Sequence, residues 1–129
     1  MAVKNAIYLH NLHFENVNWF KELEFFKDEL GSFKHRLEEL VQAWTKTEVL
    51  AQAEHFQNQF IRHDEVIDEL KHKIKIEEQQ LAKYAKEHPI AIDHVHFKDH
   101  SSLREEVTMQ RKLYSELKQE FFRYLSKYL

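Results

Sequence analysis

Between Ala53 and Tyr84 one ladder steps alternately by three and four residues without a slip: Ala53, Phe56, Phe60, His63, Ile67, Leu70, Ile74, Glu77, Leu81, Tyr84. Only His63 and Glu77 interrupt its apolar character. An α-helix turns once in about 3.6 residues, so this spacing keeps one stripe against a partner along the whole length. The ladder predicts one long helix that must bury that stripe against other helices.

The same spacing recurs on both sides. Upstream it reads Leu12, Asn16, Trp19, Leu23, Phe26, Leu30, Phe33, Leu37, Leu40, Trp44, with Phe20 and Val41 widening the stripe. Gly31 lies inside this segment, yet the register runs across it. A single helix carrying a penalty of about 1 kcal/mol is therefore expected over residues 11–45, with Asn5 and Asn11 as alternative caps. Thr45 stands three residues before Glu48, a capping-box pattern for a second helix over 47–87. Pro89 ends it, because the residue before a proline is pushed out of the α region. Downstream, Ser102 and Glu105 form another capping-box pattern. It opens a third helix over 102–128 with the stripe Leu103, Val107, Gln110, Tyr114, Leu117, Phe121, Tyr124, Tyr128. The expected fold is all-α: an up-down-up antiparallel bundle of three long helices with coiled-coil-like packing, forming a single domain over 1–129. The connection 88–101 is longer than bundle loops usually are.

Composition agrees. One glycine and one proline leave too few turn residues for a sandwich or an α/β fold. The formal charge of −3, with acids and bases interspersed, disfavours nucleic-acid binding by phosphate neutralisation. No apolar stretch approaches the ~20 residues of a membrane span, and Met1–His10 holds no signal-peptide core. The absence of cysteine removes disulfides and thiolate chemistry and suits a reducing cytoplasm. Ten histidines are the outlier: protonating all of them turns −3 into +7, so charge should respond strongly between about pH 7 and pH 5.

Four histidines and two aspartates fall between His88 and His100. Neutral imidazole and carboxylate suit Zn, Fe or Ni. With the first turn at residues 46–47, position j of helix 1 faces about 93 − j of helix 2, which brings His10 and His13 to the same end of the bundle. The candidate metal ligands are His13, His88, His96 and His100, assisted by Glu77. Capping at Ser102 would keep His96 and His100 off a common helix face. The same map sets Glu77 opposite Asn16, with Gln110 or Arg111 completing a polar core layer; His63 falls among Leu30 and Phe121 with no partner at its level.

Known helical metal motifs are not met. A ferritin-like di-iron site needs two Glu-x-x-His pairs, and Glu69–His72 is the one clean pair, off the seam. His35…Glu39, His55…Gln59 and His94…Asp99 resemble hemerythrin spacing in outline. Gln59 stands where a histidine is wanted, however, and His35 and His55 occupy outward positions. Serines without a nucleophile elbow and a single glycine leave nothing for nucleophilic catalysis or phosphate cradling. The leading expectation is a non-enzymatic bundle acting through protein–protein contact, as a homodimer or with another protein, through outward aromatics such as Phe25, Phe97, Phe122 and Tyr128. The alternative is a metal-binding bundle with its His/carboxylate site near the helix 2–3 loop.

Overall fold

The computed structural model describes the backbone of residues 2–87 and 94–129 and the side chains of 9–87 and 98–129. Three helices account for it: α1 (Ala2–Ala43), α2 (Thr47–Glu87) and α3 (His94–Tyr128). At ~1.5 Å per residue, the 42 residues of α1 and the 41 of α2 make rods of roughly 60 Å. Among the described residues there is no strand, and no helix is long and apolar enough to cross a membrane.

The pairings fix the topology. Asn16 meets Glu77 and Lys34 meets Asp64, so α2 runs back along α1. Glu15 meets Arg104 and Glu29 meets Lys118, so α3 runs parallel to α1. The core is the three stripes closed on one another. Leu23, Leu30, Phe60, Ile67 and Phe121 have no exposed surface. At its centre Phe121 of α3 packs edge-on against Phe60 of α2, with ring centroids 4.9 Å apart, and lies 5.3 Å from Phe33 of α1. Such pairs add about 0.5–1.5 kcal/mol each beyond the area they bury. At the hairpin end the Tyr124 hydroxyl donates to the Val49 carbonyl at 2.7 Å, and Trp44 Nε1 donates to the Tyr128 carbonyl at 2.7 Å.

Two helix starts differ from expectation. α1 begins at Ala2 rather than near residue 11, so neither Asn5 nor Asn11 caps it. α3 begins at His94 rather than at 102, which shortens the connection and places residues 96 and 100 one helical turn apart. The reason lies in tertiary contact. The three-four spacing of the α3 stripe, extended back from Leu103, reaches His100, and His100 is fully buried against α1 and α2. Burying it requires the turn before Leu103 to be helical, and that overrides the local capping preference of Ser102. α1 is unbroken at Gly31, whose φ is ordinary.

A charged seam joins the two parallel helices. Glu15, Glu22 and Glu29 recur at intervals of seven on α1, facing Arg104, Arg111 and Lys118 at intervals of seven on α3. Arg104 and Arg111 each use Nε and Nη2 on both oxygens of one carboxylate, at 2.6–3.2 Å. This is the geometry in which coiled-coil flanking positions select orientation.

Candidate functional site

The most concentrated polar chemistry in the described residues surrounds His100. Its ring has no exposed surface and stacks on Trp19 of α1 at a centroid distance of 4.9 Å. Nδ1 donates to Glu77 Oε2 of α2 at 2.7 Å, and Nε2 donates to Glu15 Oε1 of α1 at 2.6 Å. Two carboxylate acceptors on one imidazole require both ring nitrogens to carry protons. His100 is therefore an imidazolium clamped between α1 and α2. Burial works against its charge, but the hydrogen bonds it donates to Glu77 and Glu15 prevail and hold its pKa above the ordinary 6.5.

The clamp is itself supported. Arg104 binds Glu15 and, foremost through that hydrogen bond, holds its pKa below the usual 4.5 against the opposing effect of burial. Asn16 Nδ2 donates to Glu77 Oε2 at 2.7 Å and to Glu78 Oε1 at 2.9 Å. His13 pairs with Glu78. Three helices thus contribute to one layer of alternating charge. Within it Asn16 Oδ1 and Glu77 Oε1 are buried without a hydrogen-bond partner among the described residues.

The expected layer of Asn16, Glu77 and Gln110 divides in two. Asn16 and Glu77 meet as their antiparallel register predicts. Gln110 instead donates to His63 Nδ1 at 2.8 Å, about four turns from Glu77 along α2, while Arg111 belongs to the seam with Glu22. His63 therefore has a partner after all, and its accepting Nδ1 makes the ring neutral. Burial first, and the charge of Arg62 second, hold its pKa below 6.5. The sequence leaves the α2–α3 register open, and a third helix that started at 102 instead of His94 would bring Gln110 toward Glu77.

Of the proposed metal ligands, His88 and the side chain of His96 lie outside the described residues. His13 and His100 attach to different carboxylates, Glu78 and Glu77, rather than to a common point. Among the described residues no group of three or more histidine, aspartate or glutamate side chains is arranged to hold a metal ion. His35 and His55 are exposed on their helices, as their outward positions predict, and so do not converge on a common cavity. Glu15 is the residue that spacing could have revealed: it opens the heptad series Glu15, Glu22, Glu29, whose counterpart on α3 is equally regular.

The surface carries apolar patches. Phe25 and Phe122 are exposed as expected, whereas Tyr128 is half-buried with its ring edge against Trp44, and the Phe97 side chain lies outside the described residues. A second patch lies between α2 and α3. Met109 and Leu113, one turn apart on α3, are 54% and 44% exposed. With Val66 and Leu70 of α2 they line a groove of about 620 Å³. No protein-family model, no curated protein and no solved structure matches this chain.

Proposed function

We propose that this protein is a non-enzymatic helical bundle that acts through protein–protein contact, with another protein or with a second copy of itself. The observation that carries this reading is the pair Met109 and Leu113, large apolar side chains exposed one turn apart beside Val66 and Leu70 in the α2–α3 groove. Exposed apolar surface rimmed by polar residues is what recognition surfaces present. The polar layer around His100 supports the same reading from the other side. Its acids and bases are consumed by one another across three helices, which is the economy of a register-setting layer and not of a catalytic or metal centre. A Zn, Fe or Ni site has correspondingly less support.

The test compares wild type with Leu113→Glu by light scattering after size exclusion, purified at tens of micromolar and again in extract of the native host. The wild type is expected above monomer mass in at least one setting. Leu113→Glu is expected at monomer mass with an unchanged Tm, since residue 113 is outside the core. A wild type that elutes as a monomer in both settings overturns the reading.

A further inference from the structure

The α2–α3 groove has a charge pattern as well as an apolar floor. Its α3 rim carries Glu105, Glu106, Glu116 and Glu120, and its α2 rim adds Glu69 against Arg62 and Lys73. Lys73 is already engaged by Glu106 at 2.7 Å, and Arg62 by Glu65 at 3.7 Å. Among the described residues Glu69, Glu105, Glu116 and Glu120 make no ion pair, and all four are exposed. Four uncompensated carboxylates therefore border the exposed Met109 and Leu113.

Resting on the protein-contact function above, we infer that this groove is the docking site of a basic amphipathic helix of a partner protein, with apolar side chains at helical spacing on the groove floor and Lys or Arg facing the α3 rim. α2 and α3 flank the groove, so a third helix packs along it as one more member of the bundle. Charge complementarity selects its sign. A flank of basic residues neutralises Glu105, Glu116 and Glu120, whereas an acidic flank meets them with like charge.

The probes are two synthetic peptides of one amphipathic design with the same leucine stripe, one flanked by lysine and one by glutamate, titrated into the full chain by calorimetry. The lysine peptide is expected to bind about tenfold or more tightly than the glutamate peptide, with the difference shrinking in molar salt. Leu113→Glu should abolish its binding. Glu116→Lys with Glu120→Lys, two exposed positions that leave the core intact, should reverse the preference between the peptides. Equal binding of both peptides, no binding of either, or binding of the lysine peptide that is unchanged by these variants overturns the inference. If the extract complex is lost in Leu113→Glu while neither peptide is preferred, the protein-contact function stands and the basic-helix partner falls. If the wild type stays monomeric in extract but prefers the lysine peptide in the variant-dependent way, the groove chemistry stands and the function falls.

Discussion

Glu77 Oε2 receives two buried donors, Asn16 from α1 and His100 from α3. Taking any ionised group out of water is costly, and attraction to a partner repays the cost only while the partner is present. Glu77→Ala should therefore destabilise the fold by about 3 kcal/mol, since it leaves the His100 charge in an apolar setting with Glu15 alone. Replacing Glu77 and His100 together by leucine should recover most of that loss, because no charge is then stranded. Urea midpoints of the single and double variants check both; a double variant as unstable as the single one would show that the pair itself supplies net stability. At this scale the sequence was partly legible. The polar interruptions of three apolar stripes, at Asn16, Glu77, His63 and Gln110, all prove buried. Which of them meet is decided by how far α3 slides along α2, and no local pattern records that.

At the scale of the element, the helices were legible because their stripes are periodic and periodicity is local. The starts of α1 and α3 were not, whereas α2 begins at Thr47 as expected. A capping box at Ser102 is a preference worth about 1 kcal/mol, whereas the turn before it places His100 in contact with α1 and α2. Gly31 shows the opposite case, an intrinsic cost that no contact justifies. It sits in the middle of α1 with ordinary φ, and a Cβ built there meets nothing within 4 Å. Gly31→Ala should stabilise the protein by about 1 kcal/mol, seen as a raised urea midpoint with an unchanged slope. A neutral or destabilising result would mean that a bend at Gly31 is used.

For the whole molecule, the two buried histidines set opposite limits on pH. The folded chain holds His100 with a raised pKa, burial opposing the charge and Glu77 and Glu15 outweighing it. Its contribution is complete below the ordinary 6.5 and is lost as pH rises through the folded-state value. Burial, then the charge of Arg62, lowers the pKa of His63, so its contribution is complete above 6.5 and is lost as pH falls through the folded-state value. Glu15, lowered foremost by Arg104, adds a further loss as pH falls below 4.5 toward its own folded-state value. Stability against pH should therefore form a dome. His100→Leu should flatten its alkaline side and His63→Leu the acid side above about pH 5; urea midpoints between pH 4 and 9 read both. An alkaline limb unchanged in His100→Leu would sink this assignment.

The heptad seam between α1 and α3 has a further consequence. A comb with identical teeth cannot tell one notch from the next. Sliding α3 seven residues toward the C-terminal end of α1 sets Arg104 against Glu22 and Arg111 against Glu29, so two of the three rungs re-form and only Lys118 meets the wrong charge, Arg36. The singular tooth is His100: it finds a carboxylate on both neighbouring helices at one setting of the comb and buries its charge without that pair of acceptors at every other. A buried histidine in the second turn of α3 thereby acts as the vernier mark for some 50 Å of otherwise repetitive contact.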